Sequence, residues 1–170
     1  MPETVFGLPI HPLIVHATVV AVPVAALTLL LSAVWPRYRR WAGPLTPALA
    51  LVALALVPLT TESGENLEGQ VGETPLVARH QELADMMLPW MVAVTVLAVV
   101  GYWLHRRALL SGERAQPRWL TAGVAALSVV AFAGTTVQVV LVGHSGAEAA
   151  WHGVASQSSA SGSGSASDDD

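Results

Sequence analysis

The stretch Leu13–Trp35 has the sequence LIVHATVVAVPVAALTLLLSAVW. It contains no Asp, Glu, Lys or Arg, and a helix made from it would be largely apolar on every face. About 20 such residues are enough for a helix to cross the roughly 30 Å hydrocarbon core of a bilayer. The stretch therefore predicts a membrane-spanning helix.

Three further stretches have the same character. The four predicted spans cover about residues 13–35, 44–61, 84–105 and 119–143. Each should be an α-helix, because lipid cannot satisfy free backbone amides and the runs lack the alternation of a membrane β-barrel. The chain is 53% hydrophobic and only 12% charged, against about 25% charged in soluble proteins. We predict an all-α fold, an integral membrane bundle of four transmembrane helices within residues 1–155.

The C-terminal segment, residues 156–170, has a different composition. It is rich in Ser, Gly and Ala and ends in three aspartates. Such a segment cannot bury enough apolar surface to offset the entropy lost on ordering. We predict a disordered tail.

The arginines predict the orientation in the membrane. Seven of the eight lie in the two loops that join spans one to two and three to four, and Arg79 alone lies opposite. Positive charge marks the cytoplasmic side, so both termini should be extracytoplasmic. We predict a multi-pass protein of the cell inner (plasma) membrane, with the lipid bilayer as its first partner.

Several functions are excluded or left without support by composition. The chain has no cysteine, which excludes disulfides, thiolate-bound iron–sulfur clusters and covalent c-type haem. No water-facing basic patch indicates nucleic acid as a partner. We find no hydrolase, kinase or protease motif, so whether the protein is an enzyme stays open.

Histidine is the residue type that carries most functional information. Five of the six histidines map to the outer half: His11, His16, His80, His144 and His152. His16 and His144 lie on the first and last helices, which are expected neighbours in an up-down bundle. Neutral imidazole binds haem iron and transition metals, so this pair is a candidate ligand set, with His80 and His11 as further members. The alternative is that these histidines only form hydrogen bonds at the interface.

A second candidate set lies at the end of the fourth span. His144, Glu148 and His152 are spaced four residues apart, so they share one face if the helix continues outward. They could bind a metal ion, with Glu148 orienting a histidine. Nearby, Glu62, Glu65 and Glu68 recur every third residue, which is typical of a solvated face and, less often, of a cation site.

Other residues predict packing and helix boundaries. Thr135, Thr136 and Gln138 are expected to form hydrogen bonds between helices, and Gly123 and Gly134 are expected at close helix contacts. Thr74-Pro75 is typical of a helix start, and Pro89 predicts a kink. No internal repeat is apparent from the sequence.

Three segments together resemble a bacterial four-helix membrane family catalogued as domain of unknown function 2231. They are Gly7-Leu8-Pro9-Ile10-His11-Pro12-Leu13-Ile14-Val15-His16, Ser63-Gly64-Glu65 with Val77-Ala78-Arg79-His80, and Gly143-His144-Ser145-Gly146-Ala147-Glu148-Ala149-Ala150-Trp151. The likeness covers about residues 5–153 and is closest to actinobacterial members. Some relatives are fused to Rieske or cytochrome-like domains, so the resemblance implies a haem or redox role. It also implies that His11, His16, His80 and His144 are recurrent polar positions.

Three functions remain open at this stage. The first is binding of b-type haem or a transition metal in electron transfer, with a redox partner or a homo-oligomer. The second is a structural or accessory membrane subunit without a cofactor. The third, a proton-coupled transporter, needs a polar path across the bilayer, and the inner half offers little beyond Thr28 and Thr46.

Overall fold

The computed structural model describes residues 4–5, 8–71, 74–111 and 117–162. Two short strands pair antiparallel near the N-terminus, and all other described elements are helices. In chain order the elements are β1 Thr4–Val5, β2 Leu8–Pro9, α1 Ile10–Val34, α2 Pro36–Ala42, α3 Leu45–Val71, α4 Pro75–Asp85, α5 Met87–Ser111 and α6 Arg118–Gly162.

Four of these segments are long and apolar enough to cross a membrane, which confirms the predicted fold class. They are Leu13–Val34, Leu45–Asn66, Pro75–Leu110 and Arg118–Trp151. Many of their large apolar side chains point outward, as contact with lipid requires; examples are Val19, Val20, Leu51, Val96, Leu127 and Val140.

The long helices form an up-down bundle in which α1 and α5 each pack against both α3 and α6. The first and last helices are therefore neighbours, as predicted. One end of the bundle carries His11, Ser63, His80 and Ser145, and we call it the histidine end. The other carries Arg39, Arg40, Arg106 and Arg107, and we call it the arginine end. Which end faces the cell exterior stays a prediction.

The boundaries of α4 follow from two prolines and a threonine. Pro75 occupies the first turn of α4, and the Thr74 hydroxyl accepts a hydrogen bond from the Val77 amide, so the predicted start is confirmed. Helix α4 ends at Asp85, four residues before Pro89. Because Pro89 has no N–H and its ring crowds the carbonyl four residues earlier, the helix breaks there. The third span thus consists of two helices, α4 and α5.

Small residues let the helices approach closely in the core. Ala25 and Ala26 of α1 and Ala50 and Ala53 of α3 have no exposed surface. Gly134 of α6 lies against the ring of Trp90, where an added Cβ would come within 2.1 Å of the indole, so its predicted role at a close contact is confirmed. The same prediction for Gly123 is wrong, because a Cβ there would meet nothing within 4 Å.

Helix α6 is longer than its predicted span. It continues to Gly162, past Ser156, where the predicted tail begins, and residues 163–170 lie outside the described residues. Disorder of the tail stays a prediction.

Candidate functional site: a histidine pair at one end of the bundle

Two half-buried histidines lie at the histidine end. His11, in the first turn of α1, forms a hydrogen bond of 2.8 Å from Nδ1 to the hydroxyl of Ser63 on α3. His80, on α4, forms the corresponding bond of 3.1 Å from Nδ1 to the hydroxyl of Ser145 on α6. Each ring is thus held by the neighbouring helix of the bundle.

The serine protons determine which nitrogen of each ring carries hydrogen. The Ser63 hydroxyl donates to the Thr60 carbonyl at 2.8 Å, and the Ser145 hydroxyl donates to the Val142 carbonyl at 3.0 Å. A hydroxyl has one proton, so toward the imidazole each serine can only accept. When the serine protons go to the carbonyls, Nδ1 of each histidine is the N–H donor and Nε2 of each carries a lone pair.

Glycines beside the serines allow the rings to lie on the helix backbone. A Cβ added at Gly64 would lie 3.3 Å from Cε1 of His11. A Cβ added at Gly146 would lie 3.0 Å from Cε1 of His80, closer than most real contacts. The Ser-Gly dipeptide therefore supplies both the acceptor for Nδ1–H and the space for the ring.

The two histidines are close enough to interact electrostatically. Burial lowers the pKa of His11, the positive charge of protonated His80 lowers it further, and a hydrogen bond to the Thr60 carbonyl opposes both effects. The net effect is a His11 pKa below its ordinary value, which favours the neutral ring. Neutral imidazole is the form that binds a metal ion.

The two histidines occupy equivalent places in the two halves of the bundle. His11 and His80 are 69 residues apart. Buried residues of α1 and α5 share this spacing: Val22 and Met91, Ala25 and Val94, Ala26 and Thr95, Leu29 and Ala98. Buried residues of α3 and α6 share a spacing of 82: Thr46 and Ser128, Ala53 and Thr135, Ser63 and Ser145. Buried positions thus recur at a constant spacing between α1 and α5 and between α3 and α6, and the two histidines and the two serines follow the same spacings.

A family model described as "Predicted membrane protein (DUF2231)" matches residues 7–158. The chain belongs to the DUF2231 family. The match includes the four spans, both histidines and both Ser-Gly dipeptides, and it confirms the family suggested by the sequence motifs. No curated protein and no solved structure matches this DUF2231 chain.

The other histidines predicted as ligands have different surroundings in this DUF2231 protein. His16 and His144 are both exposed, although their helices are neighbours. His16 is five residues from His11, which is about 140° around a helix, so it lies on another face. His144 directly precedes the buried Ser145, so its side chain lies about 100° around the helix from that of Ser145, on another face. Their role as a ligand pair stays a prediction, and the inward-facing pair is His11 and His80.

The second predicted metal set is only partly described. Helix α6 does continue outward, so His144, Glu148 and His152 share one helical face. His144 and Glu148 are exposed, and the side chain of His152 lies outside the described residues. Among the side chains that the structure describes, no group of three or more His, Asp or Glu residues is arranged to hold a metal ion. A metal role for this set stays a prediction.

Other predicted polar residues have varied roles. Gln138 does join two helices, donating from Nε2 to the Leu83 carbonyl. Thr136 bonds only to the Phe132 carbonyl of its own helix, and the buried Thr135 hydroxyl has no partner in the described part of the chain, so the predicted interhelical bonds of both are wrong.

The acidic stripe forms no cation site among the described residues. Glu62 and Glu65 are exposed, and Glu68 accepts a hydrogen bond from Gln81 of α4. These are the properties of a solvated face with one link to the neighbouring helix.

Proposed function

We propose that this protein binds a transition-metal ion at the histidine end, through Nε2 of His11 and Nε2 of His80. The observation that carries the proposal is the matching pair of Nδ1–H···Oγ hydrogen bonds to Ser63 and Ser145. Histidines that bind metals commonly donate their other N–H to an oxygen atom, which fixes the tautomer and the ring orientation. Here both rings have this arrangement, at equivalent positions of the bundle.

The site would be an open one. Two imidazoles leave coordination positions for water, a substrate group or a partner, whereas structural zinc sites use four protein ligands. An open two-histidine site suits an ion that is received and released, or one that reacts. Imidazole ligands suit copper, zinc, iron and nickel.

Haem is the second candidate cofactor, because two imidazoles can also bind haem iron. A metal ion needs only the lone pairs of the two Nε2 atoms, whereas haem also needs space for the porphyrin. The cavity described in this molecule lies at the arginine end, away from the two histidines. Electron transfer, the use that the family resemblance implies, requires haem, copper or iron, because zinc has no redox chemistry.

Metal binding to purified variants tests the proposal. The detergent-purified protein is stripped with a chelator, offered Cu²⁺, Zn²⁺, Ni²⁺ or Fe²⁺, and analysed by mass spectrometry of bound metal. We expect His11→Ala and His80→Ala each to remove stoichiometric binding, and the double variant to lose little more, since two ligands of one ion act as a unit. Ser63→Ala and Ser145→Ala should weaken binding by about 10- to 100-fold.

His16→Ala and His144→Ala are the matched controls, because they remove the same residue type near the same end. Both should bind metal as the parent protein does. Loss of binding in these two variants alone would favour the pair predicted from sequence. A parallel sample purified with haem supplied should show no Soret band; a band that His11→Ala removes would identify haem as the cofactor. A protein that retains neither metal nor haem would be the accessory subunit without a cofactor.

A further inference from the structure

A cavity of about 250 Å³ lies inside the arginine end, the end of the bundle away from the histidine pair. Its inner wall includes the buried residues Leu29 and Ala98. Its other end is bounded by Arg39 of α2 and His105 of α5, both half-buried. The volume is close to the lower end of the roughly 300–1,000 Å³ typical of small-molecule sites.

The polar groups of the cavity favour a negatively charged group. The charges of Arg39 and Arg40 both act on His105, and of these two arginines Arg39 lines the cavity. A guanidinium matches carboxylate and phosphate oxygens in a two-pronged geometry. Tyr102 also lines the cavity, and its hydroxyl oxygen accepts a hydrogen bond of 2.8 Å from Arg106. The hydroxyl proton of Tyr102 is not used in this bond, so Tyr102 can donate it to a bound ligand. Within the described parts of the chain no carboxylate forms an ion pair with Arg39.

The remaining wall suits an apolar chain. Apart from a few hydroxyls it is formed by aliphatic side chains of α1, α5 and α6, and Ser32 and Thr46 satisfy each other through a hydrogen bond of 2.8 Å. A small polar ion would leave this surface empty, whereas a hydrocarbon chain would fill it. Such chains are available at this location, because the four helices cross a bilayer.

We propose that this cavity binds an amphipathic anion with a single acyl chain, its carboxylate or phosphate between Arg39 and His105 and its chain between α1, α5 and α6. The proposal does not depend on a metal ion at the histidine end. It gives Arg39 a role in ligand binding, whereas the other arginines of this end are expected to determine the orientation of the protein in the membrane.

Photolabelling tests the proposal on the full-length protein. The reagent is dodecanoic acid with a diazirine in its chain, added to the protein in an uncharged detergent, and the labelled peptides are identified by mass spectrometry. We expect labels on cavity-lining segments of α1, α5 and α6. Arg39→Gln should reduce labelling at least about tenfold, because a charge-assisted hydrogen bond to a buried anion is lost.

The chain offers matched controls for both charge and volume. Arg37→Gln removes an exposed arginine of the same helix that does not line the cavity, and should leave labelling unchanged. Ala108→Phe fills the cavity and should reduce labelling, whereas Leu109→Phe adds bulk on the exposed side and should not. Thermal melting of each variant, followed by circular dichroism, separates loss of the site from loss of the fold.

Competition distinguishes the source of the anion. Unlabelled dodecanoic acid or a lysophosphatidic acid should compete, and the stronger competitor identifies a carboxylate or a phosphate head. Dodecanol, which has the chain without the charge, and inorganic phosphate, which has the charge without the chain, should not compete. Equal labelling of Arg39→Gln and Arg37→Gln, or effective competition by dodecanol, would overturn the proposal.

Discussion

At the scale of single residues, three glycines are important because they have no side chain. Gly64 and Gly146 leave room for an imidazole ring, and Gly134 leaves room for the indole of Trp90. These glycines lie within helices, where glycine is intrinsically unfavourable by about 1 kcal/mol relative to alanine. A neighbouring aromatic or imidazole ring lies so close to each of these glycines that the methyl group of an alanine would crowd it.

Gly134→Ala should therefore destabilise the protein despite its better helix propensity. The added methyl group would overlap the Trp90 ring, and overpacking of this kind costs about 1–3 kcal/mol. Thermal unfolding in detergent measures the effect as a lower melting temperature.

Gly123→Ala is the control for this change, because its added Cβ meets nothing within 4 Å. It should unfold at or slightly above the temperature of the parent protein. An unchanged melting temperature for Gly134→Ala would mean that Trp90 moves aside without cost.

At the scale of elements, α4 has a specific function: it places His80 beside α6. Helix α4 has no buried residue among those described, and it is held by its cap at Thr74, by the hydrogen bonds of Gln81 and His80, and by the bond from Gln138 to its last turn. Its position therefore rests on these polar contacts together with its packing against α6. The half-buried apolar side chains of α4 include Leu76, Val77 and Leu83.

Thr74→Ala should loosen α4 without unfolding the bundle. Loss of an N-terminal cap costs about 0.5–2 kcal/mol, and α4 has no fully buried residue to hold its first turn in place. Hydrogen exchange should become faster for the amides of the first turns of α4, while α1 and α6 keep their protection. Thr136→Ala is the control, because it removes an exposed hydroxyl that is hydrogen-bonded within its own helix. It should change the exchange rates neither in α4 nor in α1 and α6. Equal exchange in Thr74→Ala would show that the cap is not needed.

At the scale of the whole molecule, the two ends of the bundle have opposite chemistry. Most imidazoles and carboxylates lie at one end, and most guanidinium groups and aromatic rings lie at the other. There Arg107 is stacked on Trp103, and Tyr38 lies beside Trp35 and Trp41. Positive charge is retained on the cytoplasmic side during insertion, so the histidine end should face the cell exterior.

Single cysteines test this orientation directly, since the chain has none of its own. Arg40→Cys places a thiol at the exposed surface of the arginine end, and Glu65→Cys places one at the exposed surface of the histidine end. In intact cells a membrane-impermeant thiol reagent should label Glu65→Cys and not Arg40→Cys, and both should react after the membrane is opened. The reverse pattern would invert the bundle.

The sequence by itself determined the four spans, the start of α4 and the family. Spans depend on local apolar length, and the Thr74-Pro75 start depends on residues adjacent in the chain, so both can be predicted without long-range contacts. The break at Asp85 was displaced from its predicted position at Pro89 because proline acts on the carbonyl four residues before it.

Only the tertiary structure decided which histidines face inward and where the cavity lies. One residue turns a helix by about 100°, so an error of one or two positions changes a ligand into a lipid-facing side chain. His11 meets Ser63 across 52 residues, and His80 meets Ser145 across 65. Such distant pairings depend on how the helices rotate when small residues pack, and that rotation is a property of the assembled bundle.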